Sequence, residues 1–311
     1  MLGALKSRDE RRRAARYLRR VVIPGCAMLL MYFVLRLLPV APVSAFGAWG
    51  VGLYGKNNRL RQERVLHNLA RLRPDLASDV NALEAAAHRY WRNIGRTLAE
   101  VLVIHKMIQA DLPAVIGEAH LAASRGAGRR RIWLLLHLGN WELAGPKLLA
   151  IGEDSSHVVH TIANPFTKLL LARTRRQFAG RLIYAGPKVG HEIFRTLRDK
   201  GAIVLAGDEF IRGQLFAPSF GRPLKLDGNL GRIVRLAKMT NAIVCPVYCA
   251  RAAATTFELH ILPHVELDLE RDDYLAEGVR RLDQVITPVI VAHLDQWFLL
   301  DNFRLPDAPA S

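Results

Sequence analysis

The stretch Arg131-Ile-Trp-Leu-Leu-Leu-His137-Leu-Gly-Asn-Trp-Glu142-Leu-Ala-Gly-Pro146 decides how the rest of the chain is read. Ile132 to Leu136 is an unbroken apolar run of the length expected for a strand buried on both faces. His137 falls where that strand ends, and Gly139-Asn140 supplies turn chemistry. From Trp141 the apolar positions Leu143, Leu148 and Ile151 take helical spacing, with Asn140 as candidate N-cap and Glu142 in the first turn. On one continuous helix His137 and Glu142 would point about 140° apart at 3.6 residues per turn. They meet only if the His precedes the helix, and the Gly-Asn turn suggests that it does. An imidazole beside a carboxylate has a known use. The carboxylate holds one ring N–H, fixes the tautomer, and leaves the other nitrogen to take a proton from a hydroxyl or thiol. The plainer alternative is a half-buried strand-end His next to a capping Glu.

Working outward, strands alternate with helices. Val158 to Ile162 reads as a strand ended by Asn164-Pro165, followed by a helix over residues 166–178 that carries Arg173, Arg175 and Arg176. Leu182 to Tyr184 is a short strand, His191 to Lys200 a helix, and Ala202 to Ala206 a buried strand with Asp208 and Glu209 at its C-terminal end. Asn229 to Met239 is helical, Ile243 to Cys249 a strand, Thr256 to Leu262 an edge strand, and Asp273 to Phe298 a last helix. Upstream, Val80 to Ile108 has the spacing of a core helix, and Gly117 to Arg131 reads as a basic loop. The pattern predicts an α/β fold with a mostly parallel central sheet flanked by helices and its site at strand C-terminal ends. His137 and Asp208 both fall there.

Composition narrows the partners. Half of the 311 residues are hydrophobic, enough for a sizeable core, and the net charge of +16 favours an anionic partner such as nucleic acid, an acidic membrane or an acidic protein. No nucleic-acid motif accompanies the charge, so that class is set aside. Three cysteines give no disulfide framework, and no His/Cys spacing marks a metal site. Residues 6–20 are basic, and an apolar region from Val21 to Gly55 follows, broken only at Arg36. It reads as a membrane-spanning or deeply inserted anchor, as a buried helical hairpin, or as a signal peptide cleaved after Val43-Ser44-Ala45. The chain divides accordingly into a basic segment and anchor, residues 1–60, and a catalytic domain, residues 61–311.

His137-Leu-Gly-Asn-Trp-Glu142 has the His-x4-Asp/Glu form of glycerolipid acyltransferases, and the surrounding sequence resembles the lauroyl/myristoyl acyltransferases of lipid A biosynthesis. Other phrases agree in order: Asn68-Leu69, Arg73-Pro74-Asp75, Asn164-Pro165, Arg175, Asp208, Phe220-Gly221-x-Pro223, Pro246, and His293-x-x-Gln296-Trp297-Phe298. The chain departs from the pattern at Thr161, where Arg is usual. Glu209 replaces Gln, Leu294 replaces Pro, and Asp301-Asn302 replaces basic residues.

The resemblance implies a glycerolipid-acyltransferase-like fold and a membrane-associated acyltransferase. Such an enzyme moves a fatty acyl group from an acyl-carrier-protein thioester to a hydroxyl of a lipid A precursor. It needs no cofactor beyond that co-substrate, and it acts at the cytoplasmic face of the inner membrane on an anionic glycolipid. His137 is then the general base and Glu142 orients it. Asn140 and Trp141 shape the turn or line the acyl channel, and Asn164 and Arg175 belong to the substrate site. Asp208 either contacts the acceptor or caps its strand. Another glycolipid or glycerolipid acceptor is the alternative, as is a hydrolase using the same dyad on water.

Overall fold

The computed structural model describes residues 8–110, 113–159, 164–176, 181–186 and 189–307; for residues 8, 9, 170, 171, 173–176 and 200 it describes the backbone alone. Among the described residues there are nine strands: β1 (Ala114–Ile116), β2 (Arg131–Gly139), β3 (Ser156–Val159), β4 (Leu182–Tyr184), β5 (Ala202–Ala206), β6 (Glu209–Ile211), β7 (Gln214–Ala217), β8 (Ile243–Arg251) and β9 (Phe257–Ile261). Seven form one sheet in the order β1-β9-β8-β2-β5-β3-β4, and β6 pairs with β7 in a separate hairpin. Within the large sheet only β8 and β9 run antiparallel. The mostly parallel α/β sheet expected from the alternating pattern is present.

β2 lies at the centre because its sequence permits nothing else. Ile132, Trp133, Leu134, Leu136 and Leu138 are all fully buried, so both faces must be covered. One face meets helices Asn229–Thr240 and Tyr274–Ala292, whose Ile233, Val234, Leu282 and Ile286 are buried. The other holds Trp133, Leu143, Leu148, Cys245 and Phe257.

The sequence expectations change in places, and the last helix, read as Asp273 to Phe298, ends at Ala292. Residues 117–131 are not a continuous loop: helix Glu118–Gly126 begins after Gly117, with Leu121 and Ser124 turned inward. β9 is not an edge, because the three-residue β1 pairs outside it. The hairpin β6–β7, turned at Arg212 and Gly213 (φ 50° and 78°), has no counterpart in the sequence reading.

The apolar N-terminal region resolves into two helices with different surroundings. Glu10–Leu37 is a helical run of 28 residues that contains an apolar window of 18 residues with mean hydropathy 1.7, long and apolar enough to cross a membrane. At 1.5 Å per residue that window reaches about 27 Å, close to the roughly 30 Å of hydrocarbon. Ile23, Leu30, Phe33 and Leu37 are exposed on it, while Gly25 packs against the Phe166 ring. The second helix, Val40–Asn57, lies along Val80–Glu100, which Asp79 caps by accepting from the amides of Asn81 and Ala82. Val43 and Ser44 are fully buried there, so cleavage after Ala45 would remove part of the core.

The contact between these helices depends on two glycines. A Cβ on Gly47 would lie 2.2 Å from the Gly95 carbonyl oxygen, and one on Gly95 would lie 2.1 Å from the Gly47 oxygen. Gly95→Val is therefore expected to separate the helices and cost on the order of 2 kcal/mol. Denaturant unfolding in detergent should show a lower midpoint, and an unchanged midpoint would contradict the close approach.

Candidate active site

Register brings the site together. Parallel pairing sets Leu135 of β2 opposite Ala206 of β5, and the Gly207 amide donates to the Leu135 carbonyl. Residues two steps further along each strand therefore emerge side by side, and these are His137 and Asp208. The His137 Nδ1 lies 2.9 Å from Asp208 Oδ1. The Asp208 carboxylate also accepts from the His137 backbone amide at 3.1 Å and from Trp297 Nε1 at 2.8 Å. Its side chain is fully buried, whereas that of His137 is 28% exposed. An ionised carboxylate only accepts, so the ring nitrogen that faces it is the donor.

The sequence gives the orienting role to Glu142; in the structure Asp208 Oδ1 also stands against the ring, at Nδ1. The chain breaks into a turn after Gly139. Relative to β8, Leu135 pairs with Val247 and Gly139 with Cys249, so β2 bulges over the intervening residues. Gly139 has φ 53°, and a Cβ there would sit 2.2 Å from the Cys249 carbonyl oxygen, so only glycine fits. Trp141–Leu143 then forms a single tight turn before helix Ala144–Ala150. This leaves Glu142 on the wall of the same cavity as His137 and Asp208.

That cavity has a volume of about 390 Å³. Its apolar lining includes Leu135, Val158, Leu182, Val204, Phe210 and Phe298, so it runs beneath the ends of β2, β5, β3 and β4. Trp141 stacks edge-on to His137 with ring centroids 5.3 Å apart and leans on Phe298 at 4.8 Å. His137 thus stands in a greasy slot with a polar end.

The other expected site residues separate. Asn140 is buried, does not line the cavity, and donates to Glu100 Oε2 at 3.0 Å. Asn164 is exposed and caps helix Pro165–Arg176 through the amides of Phe166 and Thr167. Arg175 lies in that helix, but its side chain is outside the described residues, as is Thr161. Asn68 is a bracket for the C-terminal segment: its amide donates to the Leu300 and Phe303 carbonyls and its oxygen accepts from Leu305 N. Asp301, in place of a basic residue, is buried and accepts from the Tyr90 hydroxyl and Arg61.

Several contributors escape the sequence reading. Glu100 and Arg251 form a buried bidentate pair at 2.7 and 2.8 Å, and Ser44 adds a hydrogen bond to Glu100. Arg251 also reaches Thr97, whose hydroxyl donates to the Gly139 carbonyl. This network holds the active-site turn from behind. Trp297, the indole donor to Asp208, sits in a segment that pairs with the end of β2, where Phe298 N donates to the His137 carbonyl. Burial pushes the Cys245 thiol up to about 12 and also raises that of Cys249, which removes both as thiolate nucleophiles.

The site thus sets a strand-end imidazole, paired with a buried carboxylate, at the mouth of an apolar slot. The sequence profile described as bacterial lipid A biosynthesis acyltransferase matches residues 8–304, and the chain belongs to that family. It is accordingly an acyltransferase with a lipid acceptor. Comparison with curated proteins gave no match.

Removing Glu100 would leave Arg251 charged and buried without its partner. Glu100→Ala is expected to cost about 3–5 kcal/mol. Chemical unfolding should register the loss, and a near-wild-type midpoint would show that the network is not needed to hold the turn.

Proposed function

We propose that the enzyme transfers a fatty acyl group from an acyl-carrier-protein thioester to a hydroxyl of a lipid A precursor, at the cytoplasmic face of the inner membrane. The observation that carries this reading is the His137 imidazole at the apolar cavity, held through Nδ1 by Asp208, in a chain of this family. The Glu10–Leu37 helix supports membrane anchoring. The net charge of +16 suits an anionic acceptor and an acidic carrier protein.

In the proposed reaction the acceptor hydroxyl attacks the thioester carbonyl while His137 Nε2 takes its proton. The tetrahedral intermediate then expels the thiolate, which recovers that proton from the imidazolium, so ester and free thiol leave with no net proton change. A hydroxyl needs such a base because its alkoxide is inaccessible at neutral pH, and a positioned base contributes about 10²–10⁴-fold. Asp208 fixes the tautomer and stabilises the imidazolium. Glu142, the second carboxylate on the cavity wall, adds to that stabilisation and helps position the acceptor hydroxyl. The amides that open the 141–143 turn, or Arg175, are the candidates for stabilising the oxyanion. Trp141 and Phe298 guide the acyl chain past the imidazole.

His137→Ala should lower turnover by roughly 10²–10⁴-fold with unchanged protein abundance. Mass spectrometry of membrane glycolipids from a strain carrying only that variant should show species lighter by one acyl chain. Full-mass glycolipid would contradict the base assignment, and free fatty acid without acylated acceptor would indicate hydrolysis.

Asp208→Asn keeps the shape but removes the acceptor-only partner of Nδ1. Turnover should fall at least tenfold with a small change in acceptor KM, as expected when the tautomer is lost. A variant with wild-type kcat would place the orienting role elsewhere.

A further inference from the structure

A second cavity opens against the other strand of the hairpin β6–β7. It measures about 340 Å³, and Arg64, Arg222, Lys225 and Arg304 converge on it from three separate parts of the chain. None of its described lining residues is acidic. Among the described residues the only carboxylate that pairs with any of these four cations is Asp307, 3.4 Å from Arg304. Four like charges gathered in one concavity repel each other unless an anion joins them.

Arg222 shows how the site is built. Its guanidinium is partly buried and donates to the carbonyls of Ser219 at 2.8 Å and Pro218 at 2.9 Å, which fix it without neutralising it. Burial pulls its pKa below the ordinary arginine value, and Asp283 offsets this only in part. Lys225 is steadied by Gln214 and by the Phe216 ring, 4.7 Å from its Nζ.

The cavity shares two walls with the catalytic one. Phe210 and Ile211 line the catalytic cavity and pair across the hairpin with Leu215 and Gln214, which line the second. Likewise Phe298 and Leu299 face the first cavity, and Asn302 to Arg304 face the second. The two cavities are therefore neighbours, with the hairpin and the C-terminal segment as their common walls.

We propose that this cavity binds a phosphate group on the acceptor headgroup, with Arg64 and Lys225 supplying the free charge and Arg222 the fixed charge, while the acceptor hydroxyl lies at His137. The proposal rests on the acyl-acceptor reading above. A concave pocket with guanidinium donors suits a compact oxyanion. An acidic protein surface would instead need a broad face of about 800 Å².

The test uses full-length enzyme in phosphatidylcholine nanodiscs and the double variant Arg64→Gln/Lys225→Gln. Calorimetric titration with inorganic phosphate should be saturable for the wild type and weakened roughly tenfold or more in the variant. In turnover assays the variant should raise the KM for the phosphorylated acceptor by a similar factor. With the enzymatically dephosphorylated acceptor its kcat and KM should equal those of the wild type, which also shows that the variant is folded. An equal penalty on both acceptors would overturn the proposal, as would a KM increase confined to the acyl carrier protein. Because phosphate titration needs no turnover, the two readings fail separately. Wild-type enzyme that acylates the acceptor but does not bind phosphate sinks the site alone, and enzyme that binds phosphate but acylates no lipid A precursor sinks the acceptor assignment.

Discussion

Three N–H donors converge on the buried Asp208 carboxylate: the His137 ring, the His137 backbone amide and the Trp297 indole. They come from the end of β2 and from the C-terminal segment, while the carboxylate itself ends β5. The same contacts therefore close the fold and aim the imidazole. A buried carboxylate is costly unless its oxygens are satisfied, and here each donor that satisfies it also fixes a piece of the active site. Folding energy and catalytic geometry meet in one group.

The support behind this centre is electrostatic as well. Glu100 and Arg251 lie under the Gly139-Asn140 turn and are tied to it through Thr97 and the Asn140 side chain. Their helix, Val80–Glu100, is clamped by Val40–Asn57 through the close approach of Gly47 and Gly95. The residues that carry the apolar N-terminal surface are thus mechanically continuous with the residues that shape the site. In an enzyme acting on a lipid this continuity holds the slot in a fixed relation to the apolar N-terminal helices.

Much of the architecture was legible because buried parallel strands announce themselves. Ile132 to Leu136 and Ala202 to Ala206 are apolar runs with turn residues after them, and the sheet is built around both. The hairpin and β1 were not legible, since strands of three or four residues leave too few positions for a period to show. Helix Glu118–Gly126 is hidden by its short length and by the glycines and arginines that flank it, Gly117, Gly128 and Arg129 to Arg131. Within the site, His137 and the cavity-wall position of Glu142 follow from a local motif. Asp208 as the ring partner does not: 71 residues separate it from His137, and only strand register brings them together. Trp297, 89 residues further from Asp208, and Arg251, 151 residues from Glu100, are long-range in the same way. Asn140 and Asn68 belong to recognisable phrases, yet both serve as internal braces and neither lines the catalytic cavity.

The proposed mechanism depends on Asp208 holding a proton on Nδ1 of His137. Nitrogen-15 NMR of ring-labelled enzyme, with His137 assigned by its absence in the His137→Ala variant, reads this directly. The account predicts a proton on Nδ1, coupled to that nitrogen, in the resting enzyme. A ring protonated on Nε2 alone would contradict it.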